Sequence, residues 1–207
     1  MRFIAFFLLA SLATAGCEIK TPADHQVAPA DSAYETDVPY VPTPEPVVDR
    51  MLEMANVSDD DVVYDLGSGD GRIVLRAVQT YDVQRAVGIE IVPELVRQSR
   101  NYARLAGVAD RVTFRKADLF DVPLHDATVV TMYLFEDVIT RLQPKLLREL
   151  DPGVRIVSHE YTGDDRWPPD TTVHLDDHAI HVWQVPEEIP SWAVLDSVSA
   201  SDASSRP

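Results

Sequence analysis

A glycine-rich segment, Asp65–Gly71 (DLGSGDG), interrupts the chain between an apolar, β-branched run and a pattern of helical period. Glycines permit a sharp turn between a strand and a helix, and they let the backbone approach a ligand closely. The dinucleotide fingerprint G-x-G-x-x-G would need a glycine at position 72, which is Arg72, and no G-K-[ST] follows as in an ATP-binding loop. The segment therefore favours neither NAD binding nor ATP hydrolysis, and a tight turn without a ligand is the simplest alternative to a binding site.

Patterns typical of strands alternate with patterns typical of helices along most of the chain. Apolar residues at positions 47, 48, 51, 52 and 55 share one helical stripe. Predicted strands lie at 61–65, 86–90, 112–114, 127–134 and 154–158, and predicted helices at 72–80, 93–106 and 136–150, the last bent or divided by Pro144. Residues 171–175 and 178–185 flank Asp176-Asp177 and predict a hairpin. This order predicts a Rossmann-like, doubly wound α/β sheet with a C-terminal antiparallel hairpin.

The loop and two acidic residues beyond it resemble the class I S-adenosylmethionine-dependent methyltransferases. The pattern D-x-G-x-G-x-G is similar to the family's first motif, Glu90 ends the second predicted strand, and Asp118 follows the third. Carboxyl ends of parallel strands meet at one sheet edge, where ligands bind. The resemblance implies a seven-stranded methyltransferase sheet and S-adenosylmethionine as the cofactor. It further implies that Asp65 with the backbone of Gly67, Ser68 and Gly69 holds the methionine part, that Glu90 accepts both ribose hydroxyls, and that Asp118 with Leu119 recognises the adenine.

A narrower resemblance covers residues 38–185. Four segments, at 40–44, 65–72, 127–134 and 155–159, are similar to the ATP synthase c-subunit lysine methyltransferases and their bacterial relatives. The resemblance implies that Tyr40 and Thr43 cover the methionine end of the cofactor and that Tyr133 lines the acceptor side. It also implies an enzyme that N-methylates a protein lysine. A small-molecule O- or N-methyltransferase and a membrane-tethered, non-catalytic binding module remain alternatives, and Tyr40 and Tyr133 have simpler interpretations as linker and core residues.

Histidines near the C-terminal end of the domain offer weaker signals. His159 follows the fifth predicted strand, close to where an acceptor would bind, and is a candidate base. His174, His178 and His181 accompany the two acids of the predicted hairpin turn, which suggests a metal site as an alternative. Sequence alone does not fix which faces of the hairpin these histidines occupy, and we predict solvated residues with no metal.

The charge of the chain limits its partners. Against 18 Lys and Arg the chain carries 34 Asp and Glu, a formal net charge of −16. Phosphate backbones repel such a surface, so we expect a protein or small-molecule methyl acceptor and no nucleic acid.

The N-terminal region is typical of an export signal. Met1-Arg2 precedes an apolar run, Phe3–Gly16, which suits a signal peptide and is too short to span a bilayer of about 30 Å. Small residues lead to Cys17, the one cysteine of the chain, as in the lipobox of bacterial lipoproteins, so Cys17 is the predicted lipidation site. An ordinary secretory signal with an incidental cysteine is the alternative.

The sequence thus divides into a signal peptide (1–17), a Pro-rich acidic tether (18–37), a methyltransferase domain (38–189) and a flexible tail (190–207). Lipidation of Cys17 would place the protein in the cell envelope, attached to the membrane. Secreted, periplasmic and cytoplasmic locations are alternatives, because S-adenosylmethionine is made in the cytosol.

Overall fold

The computed structural model describes residues 40–194, which build one seven-stranded sheet with helices on both faces. The strands are β1 (Val62–Leu66), β2 (Arg85–Glu90), β3 (Val112–Lys116), β4 (Val129–Met132), β5 (Arg155–His159), β6 (Thr171–Leu175) and β7 (His178–Gln184). The main helices are α1 (Glu45–Met54), α2 (Arg72–Tyr81), α3 (Pro93–Leu105) and α4 (Glu136–Glu149). The predicted signal peptide, Cys17 and the tether lie outside the described residues.

The strand order is β3-β2-β1-β4-β5-β7-β6, with β1 to β5 parallel and the last two strands antiparallel to their neighbours. The order reverses between β1 and β4, so the loops that follow these two strands diverge and leave a crevice at their carboxyl ends. Pairing places Asp65 beside Gly88 on one side and Thr131 on the other. The predicted doubly wound sheet with a C-terminal hairpin is confirmed.

Each face of the sheet has its own hydrophobic core because side chains alternate along every strand. Val63 of β1 packs with α1, α2 and α3, whereas Tyr64 packs with α4 on the opposite face. All five residues of the predicted α1 stripe are buried in the core that contains Val63. α3 begins at Pro93, whose missing N–H suits a first turn, and ends before Gly107 in the left-handed conformation, as predicted.

Two elements differ from the sequence predictions. α4 runs without a break through Pro144, although a proline removes one helical hydrogen bond. Leu142, Leu146 and Leu147 are buried around it, and this packing holds the helix together. Residues 191–194, assigned above to the flexible tail, form a helical turn in which Ala193 is buried and its carbonyl accepts a bond from Arg148 Nη1 at 3.0 Å. Residues 195–207 lie outside the described part of the chain.

No helix within residues 40–194 is both long and apolar enough to cross a membrane.

Candidate active site

The glycine loop folds back on the end of β2. Gly67, Gly69 and Gly71 all have positive φ, at 78°, 52° and 84°, which explains why the loop needs residues without a side chain. The N–H groups of Gly67 and Ser68 both donate to the Ile89 carbonyl, each at 2.9 Å. These bonds fix the loop at the carboxyl edge of the sheet, as the sequence predicts.

Glu90 ties the loop to the segment that leads into α3. One oxygen of its carboxylate accepts the Gly69 N–H at 2.9 Å, and the other accepts the Val92 N–H at 2.8 Å. The side chain is buried, and burial raises the pKa of Glu90 against the lowering effect of these hydrogen bonds. A carboxylate has about four acceptor positions. Backbone N–H groups, with that of Ile91 also acting on the side chain, thus occupy part of this capacity, and the remainder is open to ribose hydroxyls.

Asp65, at the carboxyl end of β1, is buried beneath the loop. Its Oδ1 accepts the Thr131 hydroxyl at 2.8 Å from the adjacent strand. Burial raises the pKa of Asp65 from its ordinary 3.8 to about 7, and the charges of Glu90 and Asp70 add to this effect. The two carboxylates at this edge therefore form an acidic region in which a cationic ligand would be stabilised.

The segment from Tyr40 to Thr43 lies over the loop. A Cβ on Gly69 would come within 2.5 Å of the Tyr40 ring, so that ring is in direct contact with the loop backbone. Thr43 is buried, and its carbonyl accepts Arg72 Nη1 at 2.9 Å. Arg72 also binds both oxygens of Asp70, through Nε at 3.0 Å and Nη2 at 2.8 Å. Arg72, whose presence excludes a dinucleotide fingerprint, thus links Asp70 of the loop to the segment that lies over it.

The remaining predicted cofactor residues occupy different environments. Asp118 is exposed beyond β3, and its Oδ1 accepts the Phe120 N–H at 2.9 Å. Leu119 is half-buried against the hydrophobic core that contains Tyr64. The Ser68 side chain turns inward, where a Cβ on Gly88 would come within 2.6 Å of its oxygen, and among the described residues that hydroxyl has no hydrogen-bond partner.

These features fit S-adenosylmethionine. Glu90 supplies acceptor oxygens, and Asp65 supplies a carboxyl group whose ionised form would stabilise a sulfonium. The three glycines place backbone where a side chain would collide with its neighbours. The binding roles of the individual residues stay predictions.

Aromatic rings gather at and after the carboxyl ends of β4 and β5. The Tyr133 ring lies 4.1 Å from the His159 ring and 6.4 Å from the Tyr161 ring, and Phe135 meets Tyr161 edge-on at 5.7 Å. Leu134 lies against Gly67, where a Cβ would come within 2.9 Å of its side chain. We call Tyr133, Phe135, His159 and Tyr161 the aromatic wall. Leu134, which lies between Tyr133 and Phe135 in the chain, therefore connects the wall to the glycine loop.

His159 is 1% exposed, and both of its ring nitrogens face protein atoms. Nδ1 lies 3.4 Å from the Thr43 hydroxyl, and Nε2 lies 3.1 Å from His178 Nδ1 and 3.2 Å from Glu160 Oε1. Burial lowers the pKa of His159 to about 4, against the opposing effect of Glu160. The role of His159 as a base stays a prediction, and its contacts fit a residue that positions others.

The hairpin histidines separate in the structure. His178 faces Glu160, with Nδ1 at 2.8 Å from Oε1, whereas His181 lies 2.9 Å from the Thr172 hydroxyl and 3.1 Å from the Glu160 carbonyl. His174 is exposed on β6. The expectation that all three are solvated is wrong for His181, which is 8% exposed, because β7 lies inside the sheet between β5 and β6.

Sequence reasoning missed three residues of this site, Arg72, Glu160 and Tyr161, and it named His178 only as part of an alternative metal site. A signal existed for two of them, because Glu160 and Tyr161 directly follow the fifth predicted strand at the ligand-binding edge. Arg72 and His178 acquire their partners only through contacts between distant parts of the chain.

Comparison with known proteins identifies relatives. The profile of the ANTKMT methyltransferase domain matches residues 65–171. The protein-lysine N-methyltransferase of Saccharolobus islandicus is 45% identical over 159 residues, which cover 75% of this chain and 98% of that protein. The lysine N-methyltransferase that acts on the ATP synthase c-subunit in mouse is 34% identical over 135 residues, 65% of this chain. The chain spans about half of that mouse relative, 53% of its length.

A solved structure agrees with these matches. The RNA methyltransferase of Salinibacter ruber, determined in complex with S-adenosyl-L-homocysteine, is 54% identical and superposes with a TM-score of 0.71, covering 73% of this chain and 97% of that one. The predicted fold, enzyme class and cofactor are therefore confirmed, and so is the predicted likeness to the ATP synthase c-subunit enzymes. The chain belongs to the ANTKMT methyltransferase domain family and is a class I, S-adenosylmethionine-dependent methyltransferase.

Proposed function

We propose that this methyltransferase N-methylates the side-chain amine of a lysine in a protein. The relatives that carry lysine N-methyltransferase names support the acceptor class. Within the structure, the aromatic wall carries the proposal, because its four rings gather after β4 and β5, where Leu134 connects them to the glycine loop.

The aromatic wall suits a lysine side chain in two ways. An ammonium group is attracted to an aromatic face by about 0.5–2 kcal/mol, and the four-carbon stem packs on apolar surface. Phe135 is 38% exposed, so the wall is open to an incoming protein segment. The negative net charge of the chain, −16, draws cationic segments toward it.

S-adenosylmethionine, when bound, supplies an electrophilic methyl group on a sulfonium. The lysine must lose its proton to bulk water, before it is enclosed, so that its nitrogen lone pair can attack, and burial against the aromatic wall lowers the pKa of a lysine. Burial and the nearby Glu160 raise the pKa of Tyr133, so its hydroxyl stays protonated and uncharged. The residues of the wall thus orient the amine and exclude water from it.

We assign the cofactor contacts as the family resemblance implies. Glu90 holds the ribose, Asp65 and the loop backbone hold the methionine part, and Tyr40 with Thr43 covers that end. Asp118 and Leu119 recognise the adenine. The supporting observations are the backbone hydrogen bonds that hold Glu90 beside the loop, the buried carboxyl group of Asp65 and the contact of the Tyr40 ring with Gly69.

The acceptor class is tested with methyl-labelled S-adenosylmethionine and three acceptors: a bacterial protein extract, the same extract with its lysines chemically blocked, and total RNA. We expect label on lysines of the native extract, located by mass spectrometry, and none after blocking. Label on RNA instead would mean that this chain methylates RNA, the acceptor in the name of the Salinibacter ruber protein. A net charge of −16 argues against that result.

The role of the aromatic wall is tested with Tyr133→Ala and its control, Tyr133→Phe. Because the face of the ring acts on the cation, the alanine variant should raise KM for the acceptor roughly 3- to 30-fold, and the phenylalanine variant should stay near the parent. Cofactor affinity should change in neither. Equal KM for the alanine variant and the parent would contradict the assignment.

We also propose that Cys17 is lipidated and holds the enzyme at the membrane of the cell envelope. Support comes from the apolar run that ends at Cys17 and from the acidic, Pro-rich composition of 18–37. As a coil, those twenty residues would reach roughly 25 Å, enough to hold the domain clear of the membrane surface. Membrane fractionation of the native protein beside Cys17→Ser tests this. We expect the parent in the membrane fraction and the variant outside it, and a soluble parent would refute the anchor.

A further inference from the structure

Three side-chain atoms converge where β5 meets the start of β7. His159 Nε2, His178 Nδ1 and Glu160 Oε1 form a triangle with separations of 3.1, 2.8 and 3.2 Å. His159 is buried, whereas the side chains of Glu160 and His178 are 27% and 35% exposed. The cluster is therefore enclosed on one side and reachable from solvent on the other.

Hydrogen bonds alone do not satisfy this triangle. If both nitrogens carry a proton, both can donate to Glu160, but two donors then face each other across 3.1 Å. If only one nitrogen carries a proton, the unprotonated nitrogen directs its lone pair at a carboxylate oxygen. An imidazole nitrogen that holds a proton cannot accept, so with Glu160 as a carboxylate every placement of protons on the two nitrogens leaves one edge unfavourable. A cation between the three atoms would satisfy all of them.

The spacing approaches that of a metal site. Three ligands at about 2.0–2.2 Å from a tetrahedral Zn²⁺ lie roughly 3.3–3.6 Å from one another, so the three atoms would move apart by a few tenths of an ångström to bind the ion. Two imidazoles and one carboxylate are a ligand set that zinc accepts, with a fourth position open to water. We propose that His159, Glu160 and His178 form a binding site for a divalent transition-metal ion, with Zn²⁺ as its representative.

Neighbouring groups support the ligands as outer partners do in metal sites. The Thr43 hydroxyl lies 3.4 Å from the other nitrogen of His159, and His181 contacts the Glu160 carbonyl at 3.1 Å. Glu160 has a left-handed backbone, φ 67°, held by a bond from its N–H to the Ala179 carbonyl at 2.8 Å. A metal here would join β5 to β7 directly behind Tyr133 and so fix one side of the aromatic wall.

The site is tested by titrating Zn²⁺ into the purified full-length protein after chelator treatment and desalting, with Mg²⁺, which prefers oxygen ligands, as the control ion. We expect one Zn²⁺ per chain by calorimetry. At a hundredfold excess over Kd, the melting temperature should rise by at least about 5 °C. Mg²⁺ should change neither quantity.

Three variants locate the ion. His178→Ala and Glu160→Gln should each weaken Zn²⁺ binding by more than about 100-fold, whereas His174→Ala, an exposed histidine on the adjacent strand, should bind as the parent does. Circular dichroism confirms that each variant is folded, and either ligand variant suffices if the other is not. No saturable Zn²⁺ binding by the parent, or unchanged binding by a folded ligand variant, would refute the site. None of these measurements needs a methyl acceptor, so the result is independent of the proposed function.

Discussion

Replacement of Glu90 separates the two tasks that the structure gives this carboxylate. It accepts the N–H groups of Gly69 and Val92, which holds the glycine loop, and its unused acceptor positions are assigned to the ribose. Glu90→Gln removes the charge and keeps one carbonyl acceptor of nearly the same shape. Glu90→Ala removes every acceptor.

The structure sets the expected magnitudes. A hydrogen bond to a charged group contributes about 1.5–3 kcal/mol, so either variant should raise the Kd for S-adenosylmethionine roughly 10- to 100-fold. In Glu90→Ala the two backbone N–H groups also lose their acceptor, at about 1–3 kcal/mol each, and the melting temperature should fall by at least about 4 °C. Because burial raises the pKa of Glu90, the hydrogen bonds from these two N–H groups do not fully offset the free-energy cost of burying its negative charge. Glu90→Gln should therefore shift the melting temperature by less than about 4 °C.

Isothermal calorimetry with S-adenosylmethionine and thermal unfolding without it measure the two effects separately. If Glu90→Gln binds the cofactor within about twofold of the parent, the ribose assignment is wrong. If Glu90→Ala unfolds at the parent's temperature, the carboxylate does not hold the loop.

Three further variants probe the loop and its surroundings. Since burial raises the pKa of Asp65 from 3.8 to about 7, the folded protein binds the extra proton, and the free energy of unfolding should fall as pH rises from about 4 to 7. Affinity for the cationic cofactor should rise over the same range by up to about tenfold per pH unit and then level off, and calorimetry should show a flat profile for Asp65→Asn. Gly69→Ala, at φ 52° and 2.5 Å from the Tyr40 ring, should weaken cofactor binding at least about tenfold, and equal affinity would mean that the loop is only a turn. Arg72→Lys cannot make the forked contact with Asp70, so limited proteolysis should cut near the covering segment faster than in the parent.

The sequence predicts well those features of the enzyme that depend on residues close together in the chain. Alternating periods indicated the strands and helices, and the rule that parallel strands end at one edge brought Asp65, Glu90 and the loop together. What it missed depends on distant contacts. The continuity of α4 through Pro144 comes from leucines buried against the sheet, and the orientation of His178 comes from pairing with β5, whose register no local pattern specifies. Arg72 was recognisable as a departure from a glycine motif, but its partner Thr43 lies 29 residues earlier.

The position of β7 between β5 and β6 determines when the enzyme becomes complete during synthesis. A ribosome releases β1 to β5 first, and these strands can pair in parallel with the loop and Glu90 already in place. The outer edge of β5 stays open until His178–Gln184 emerges, and an open edge invites pairing with other chains. A nascent chain that stops before β7 would therefore carry the glycine loop and Glu90 without the strand that lies behind the aromatic wall. It would depend on chaperones to keep the edge of β5 covered.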